Sequence, residues 1–363
     1  MNKQKIKQHL RRTFFALAIV GALLALPKAE ATITEVVGGL HSPRGLAFGP
    51  GGQLFVAQTG DETVAGSIIE ILSPMAIHPI VRTLVSGLPV IGDPEEGEFL
   101  GVSGISVFGN GANFGLYAIM AVDPQQTGDP AFGNLLRVDY RNQVQTLVNV
   151  GSFDYDWTAE HVNLYPPDFP DANPYGVLVL PGHTYVVDAG ANTLNEVMPD
   201  GSIRVLAFFP NTVLADRTPT CACQGPDGFL YIGTLALVDS LFLGPSANVY
   251  RLDPSEANLL EPWNTPMTEW ASGLWPINGC AFGPDGNFYA SQLFTNPNFI
   301  YGEDPEGDVV KILFASPGTH TFLAGGALSF TGGVAVGPNG AVYVADGTAF
   351  VPPGEGRIVR LSP

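Results

Sequence analysis

Apolar residues along this chain recur in short alternating runs. Each run is broken by a turn rich in Gly, Pro, Asn or Asp and followed by a second run of Val, Ile and aromatics. The pattern returns six times: SPRGLAFGPGGQLFVAQ from Ser42, GVSGISVFGNGANFGLYAI from Gly101, NPYGVLVLPGHTYVVDAG from Asn173, TPTCACQGPDGFLYIGT from Thr218, WPINGCAFGPDGNFYASQ from Trp275 and FTGGVAVGPNGAVYVADG from Phe330. Alternation with period two predicts half-buried strands, and the turn residues supply the positive φ that a tight hairpin needs. Two further strands follow in most copies, for example Ser67 to Leu72 with Val81 to Val85, and Asn248 to Leu252 with Thr268 to Ala271.

Four antiparallel strands per unit, six times over, predict an all-β, six-bladed β-propeller. The residue after each turn glycine falls at Pro50, Asn110, Pro181 (here after Leu180), Pro226, Pro284 and Pro338, at intervals of 60, 71, 45, 58 and 54 residues. The last unit ends after its third strand, Gly356 to Ser362. The segment Ile33 to Leu40 resembles the fourth strands Val81 to Leu88 and Met267 to Leu274, each of which leads into a new unit. The N-terminal strand is therefore expected to complete the sixth blade and close the ring.

The first 31 residues read as an export signal: a basic stretch from Lys3 to Arg12, an apolar run from Phe14 to Leu26, and Ala29-Glu30-Ala31 as a cleavage site before Thr32. Arg11-Arg12 also suits twin-arginine export. This places residues 32–363 in a periplasmic or secreted propeller, with no membrane insertion after cleavage. Without the signal the chain keeps 10 basic and 33 acidic residues, a formal charge of −23. Such a field repels phosphate backbones, so nucleic acid is excluded as a partner, while cations and neutral aromatic molecules are not. The oligomeric state is left open.

Three cysteines make no even disulfide framework. Cys221 and Cys223 share one face of a strand, and Cys280 lies on the next blade opposite the other face. One bridge to either partner is sterically open. The preferred expectation is three small buried hydrophobes.

Candidate chemistry gathers at one face. The second-to-third loops at Gln58 to Gly66, Asp123 to Gly133, Asp188 to Asn192, Gln292 to Gly307 and Asp346 to Gly356 are long and polar, whereas the opposite turns are short. A further long loop, Phe153 to Asn173, alternates acids with aromatics and reads either as a lid or as a plug of the channel. From it Tyr155 and Trp157 are candidate ligand-binding residues, and Glu160 and His161 candidate catalytic ones, together with His41. Arg44, Asn173, Tyr175 and Asn278 lead into inner strands and are further ligand-binding candidates. Asp61, Asp188, Asn192 and Asp346 supply oxygen donors suited to Ca²⁺ or another divalent metal, although no spacing among them is a metal signature. No phosphate-cradling loop is present, so no nucleotide cofactor is expected.

The repeat set resembles the ScyD/ScyE family. The segments that carry the likeness are Asn173-Pro174-Tyr175-Gly176, Val186-Val187-Asp188-Ala189-Gly190-Ala191-Asn192, Gly225-Pro226-Asp227-Gly228 and Ser246-Ala247-Asn248-Val249-Tyr250-Arg251-Leu252. That family is associated with exported steps of scytonemin pigment biosynthesis. The resemblance implies binding or transformation of an indolic or phenolic small molecule. Two alternatives stand beside it: a calcium-dependent hydrolase of lactonase or esterase type, and a propeller that binds without catalysis.

Overall fold

Each repeat folds because its second strand is buried on both faces, as in Leu54–Gln58, Leu230–Thr234, Phe288–Gln292 and Val342–Asp346, and its turns are locally encoded. The computed structural model describes residues 31–93, 97–165, 170–212 and 215–362. The expected export signal lies outside the described residues. Among those residues the chain forms six four-stranded antiparallel sheets, with two small two-stranded ribbons. In blade 1 the strands run outward as Pro43–Phe48, Leu54–Gln58, Gly66–Leu72 and Ile80–Leu88. The innermost strands of blades 2 to 6 are Val102–Phe108, Pro174–Leu180, Pro219–Gln224, Ile277–Phe282 and Val334–Val336. The protein is a six-bladed β-propeller.

Closure follows the expected route. Thr32–Leu40 pairs antiparallel with Gly356–Ser362, placing Thr32 opposite Ser362 and Glu35 opposite Val359. Leu40 is buried, and Val36 and Val37 pack on a cluster containing Leu46, Ile71 and Tyr343. The first strand thus joins blade 6 to blade 1 by hydrophobic contact as well as by its ladder. The core lies between blades: Phe55 and Ile68 of blade 1 pack with Leu116 and Leu136 of blade 2.

Inner strands approach one another closely at the axis. A Cβ on Gly104 would lie 2.5 Å from the Tyr175 carbonyl oxygen, and one on Gly333 would lie 2.5 Å from that of Arg44. Only glycine permits that spacing.

Two features depart from the expectations. The segment read as a loop from Phe153 begins with a helix, Val150–Glu160. Asn149 caps it by accepting from the Ser152 amide at 2.7 Å, and Asp154 and Thr158 are its buried anchors. Residues 166–169 of that segment lie outside the described residues. The cysteines are also not three independent hydrophobes. Cys221 and Cys280 form a disulfide between the innermost strands of blades 4 and 5, while Cys223 is free and buried. The strands meet so closely that Cys221, which stands where the five other blades carry Gly45, Gly104, Gly176, Gly279 and Gly333, reaches its neighbour.

Candidate functional site

One backbone bond recurs in every blade at the channel mouth. The amide just beyond the second strand donates to the carbonyl just before the first: Thr59 to Ser42, Ala121 to Gly101, Ala189 to Asn173, Leu235 to Thr218, Leu293 to Pro276 and Thr348 to Phe330, at 2.7–3.0 Å. Immediately below, the inner strands of blades 1 to 5 shift register against their partners, between Pro43 and Leu46, Val102 and Ile105, Pro174 and Gly176, Pro219 and Cys221, and Ile277 and Gly279. A bulge re-aims the extra residue. The corresponding positions are Arg44, Ser103, Tyr175, Thr220, Asn278 and Gly332.

Side-chain length alternates around this ring. Blades 2, 4 and 6 contribute the short Ser103, Thr220 and Gly332, whereas blades 1, 3 and 5 contribute Arg44, Tyr175 and Asn278. The three long side chains form a bar across the axis. Arg44 Nη1 donates to the Tyr175 hydroxyl at 2.8 Å. That hydroxyl donates to Asn278 Oδ1 at 2.6 Å, and Asn278 Nδ2 donates to the Thr331 carbonyl at 3.0 Å. Arg44 Nη2 donates to the Phe99 carbonyl at 2.7 Å. The guanidinium also lies 5.6 Å from the Tyr175 ring centroid.

Arg44 is 4 % exposed. Burial opposes its charge, but Tyr175 and Glu98 outweigh that effect, and its pKa stands above the ordinary arginine value. Its Nε has no hydrogen-bond partner among the described residues. Glu98 approaches only to 3.8 Å from Nη2, and its own side chain is 50 % exposed. Glu98 and Phe99 arrive on a short ribbon, Ile91–Asp93 paired with Glu98–Leu100.

The bar divides two cavities, since Arg44, Tyr175 and Asn278 line both. Below it lies a channel cavity of about 330 Å³ walled by the innermost strands of all six blades. Above it is a bowl of about 190 Å³ with apolar walls, among them Leu237, Leu241, Phe294, Phe299, Phe330 and Phe350. The aromatic wall is continuous: Phe294 to Phe299, Phe299 to Phe330 and Phe330 to Phe350 have ring centroids 5.1, 5.1 and 5.0 Å apart. Such a bowl, with convergent polar groups on its floor, suits a small ring-shaped ligand.

The structure brings four of the sequence candidates, Arg44, Asn173, Tyr175 and Asn278, to this bowl. It places the others elsewhere on the same face. Tyr155, Trp157, Glu160 and His161 belong to the helix end, where Trp157 stacks on His161 at 4.3 Å and packs near Phe208 of the outermost strand of blade 3. None of these lines the bowl. His41 is paired through Nδ1 with Asp61.

Most of the oxygen donors suggested for a metal serve their own loops. Asp188 Oδ1 accepts from the amides of Asn173, Gly190 and Ala191 at 2.7–2.9 Å. Asp61 Oδ1 accepts from the Thr63 and Val64 amides at 2.8 and 3.1 Å. Asp346 accepts from the Ser329 amide and from Arg357. Asn192 donates to Asp216 at 2.8 Å. Among the described residues no three His, Cys, Asp or Glu side chains converge to hold a metal ion. Asn192 Oδ1 and Asn195 Oδ1 are buried without a hydrogen-bond partner among the described residues, and so is Asp188 Oδ2. It neighbours Asp154, which is fully buried against Thr193 and Asn195. Burial and then the charge of Asp188 raise the Asp154 pKa well above the usual carboxylate range; burial likewise raises that of Asp188. A single proton held between the two would satisfy Oδ2. The two carboxylates alone are too few for the six to eight oxygens that calcium takes.

Several bowl residues carry no sequence signal of a site. Glu98 sits in an undistinguished acidic stretch. Helix Leu237–Leu243 supplies Leu237 and Leu241, whose i,i+4 spacing is a helix-face signal within the blade 4 loop. Phe294 and Phe299 lie in a loop whose polar residues dominate its composition.

No protein-family model matches the chain, and no curated protein matches it in sequence. Solved structures do match over almost the whole length. A luciferin-regenerating enzyme aligns at TM-score 0.56 and 10% identity, over 92% of this chain and 95% of that one. The PQQ-bound aldose sugar dehydrogenase of Streptomyces coelicolor aligns at TM-score 0.56 and 16% identity, over 93% and 99%. A glucose dehydrogenase aligns at TM-score 0.56 and 12% identity, over 92% and 99%. At such identities the likeness is one of fold, which hosts unrelated chemistries, and the chain is similar to six-bladed propeller proteins in architecture.

Proposed function

We propose that this is an exported propeller that binds a small indolic or phenolic molecule in the bowl above the Arg44–Tyr175–Asn278 bar, as its resemblance to the ScyD/ScyE family implies. The observation that carries this reading is the bowl itself, largely apolar and aromatic in its lining, with Arg44, Tyr175 and Asn278 at its floor. The segments most specific to the resemblance also supply the bowl with Asn173, Tyr175 and Ala189. Among the described residues lining the bowl Glu98 is the sole carboxylate. Proton transfer to a bound ring therefore falls to Glu98 or to the Tyr175 hydroxyl. Turnover that is lost in Glu98→Gln while binding persists would identify an enzyme and separate it from a binding-only propeller.

Binding is tested by calorimetry with neutral indole and p-cresol, on the wild type and on Phe350→Asn. Phe350 is 47 % exposed and has φ of 58°, a conformation that asparagine accepts well. Losing its apolar face is expected to weaken binding about tenfold, the equivalent of about 1.4 kcal/mol. No heat with either compound up to its solubility limit, or an affinity unmoved by Phe350→Asn, would remove the reading.

A further inference from the structure

We propose that Arg44 is an anion-recognition residue, and that the bowl takes a ring-bearing monocarboxylate whose carboxyl group docks on Arg44 in place of Glu98. This rests on the reading of the bowl as a ligand site and names the class of ligand.

The argument starts from the hydrogen-bond capacity of the guanidinium. Arginine carries five N–H groups and no acceptor. Two are used, by the Tyr175 hydroxyl and the Phe99 carbonyl, and both acceptors are neutral. Nε is buried without a partner among the described residues. A brace that served only to tie blades 1 and 3 together would have no need of a charge. A neutral donor in the same place would avoid the several kcal/mol that burying an ion costs. A buried, incompletely paired cation beneath an apolar cavity is a receptor for an anion, because the fork of N–H groups matches a carboxylate.

Glu98 does not fill that role in the observed arrangement. Its Oε1 stops at 3.8 Å from Nη2, beyond hydrogen-bond reach, and half its side chain is in solvent. It is placed as a displaceable counter-ion, near enough to offset part of the guanidinium charge and too far to saturate its N–H groups. The walls define the rest of the ligand. At about 190 Å³ the bowl is smaller than the ~300–1,000 Å³ of sites for drug-sized molecules, so the occupant is one ring or two fused rings. One cation at the floor matches one carboxylate. A polyanion meets the acidic remainder of the chain and no second positive group among the bowl residues.

The test compares indole-3-acetate with indole-3-acetamide, which differ in charge and little in shape, by calorimetry on the mature protein. The acid is expected to bind at least tenfold more tightly than the amide. Arg44→Met, which keeps the length of the stem and drops the charge, should bring the ratio to about one, and Arg44→Lys should restore part of it. Because Arg44→Met also breaks the bar, Glu98→Gln gives an independent reading on an exposed position. Removing the competing carboxylate should widen the acid-to-amide ratio severalfold. Equal affinities for acid and amide on the wild type overturn the anion assignment and leave the bowl as a site for neutral rings. An acid preference that survives Arg44→Met, or a ratio that Glu98→Gln does not move, also overturns it. If neither compound nor the neutral rings bind, the bowl reading falls and this inference with it.

Discussion

Arg44 and Tyr175 stand 131 residues apart in the chain and meet 2.8 Å apart at the axis. The Tyr175 hydroxyl accepts from Arg44 and donates to Asn278, so one oxygen joins three alternate blades. Tyr175→Phe removes that oxygen and leaves both partners buried and unsatisfied. The expected cost is about 1–3 kcal/mol, read as a lower denaturation midpoint with an unchanged m-value. The double variant with Asn278→Ala should cost less than the sum of the singles, because both delete the same bond. Additive effects would show that the bar is not a coupled unit.

The close approach of inner strands predicts a steric effect at Gly104. An alanine Cβ there would lie 2.5 Å from the Tyr175 carbonyl oxygen, and backbone cannot yield as a flexible side chain does. Gly104→Ala should destabilise by about 1–3 kcal/mol and displace Tyr175, weakening ligand binding as well. A melting temperature within 1 °C of wild type, an allowance of about 0.5 kcal/mol for a chain of this size, would contradict the packing described.

The raised folded-state pKa of Asp154 gives stability a pH dependence of definite sign. The folded protein binds more protons than the unfolded chain above the ordinary carboxylate pKa. Stability should therefore fall as pH rises from that value toward the folded one. Asp154→Asn supplies an N–H where the acid supplies its O–H. It should match or exceed wild-type stability at pH 7 and flatten the decline, as followed by urea unfolding from pH 4 to 8. A melting temperature that rises with added calcium in the wild type, is lost with EDTA, and is insensitive to both in Asp154→Asn would replace the proton by a metal ion.

The disulfide between Cys221 and Cys280 closes a loop with a sequence separation of 59. Restricting the unfolded chain over that length is worth about 4 kcal/mol at most. Paired replacement by alanine should lower stability by a few kcal/mol without altering the fold. Burial raises the pKa of the Cys223 thiol far above its usual value. A thiol reagent should count no reactive cysteine in the native protein and one after unfolding. Two or three in the unfolded, unreduced protein would mean that the bridge is absent.

Removal of residues 32–40 deletes the outer strand of blade 6 and the contacts of Leu40, Val36 and Val37. Leu40 is buried and Val36 and Val37 half-buried; at about 1.5–3 kcal/mol for a fully buried side chain of this kind and less for the other two, a few kcal/mol of ring stability should go with it. The newly bare edge of Gly356–Ser362 should also promote association. An unchanged melting temperature and a monodisperse profile on gel filtration would show that closure does not depend on this strand.

The sequence by itself determined the strands, the hairpin turns, the six-fold repeat and the closing role of Ile33 to Leu40, because alternation and turn chemistry are local and each repeat restates them. It also pointed to Arg44, Tyr175 and Asn278 one at a time, as residues leading into inner strands. Only the tertiary structure brought them into one bar. Their convergence depends on equivalent bulges in blades 1, 3 and 5 and on interblade distances that glycines such as Gly104 set. The helix Val150–Glu160 was not legible, since Phe153-Asp154-Tyr155-Asp156-Trp157 has no apolar stripe at helical period. It is held by the Asn149 cap and by the docking of Asp154 on Thr193 and Asn195. The choice of Cys221 over Cys223 for Cys280, the apolar bowl, and the approach of Glu98 to Arg44 were likewise settled in three dimensions. Each depends on which residues of separate blades face one another, and no local pattern encodes that.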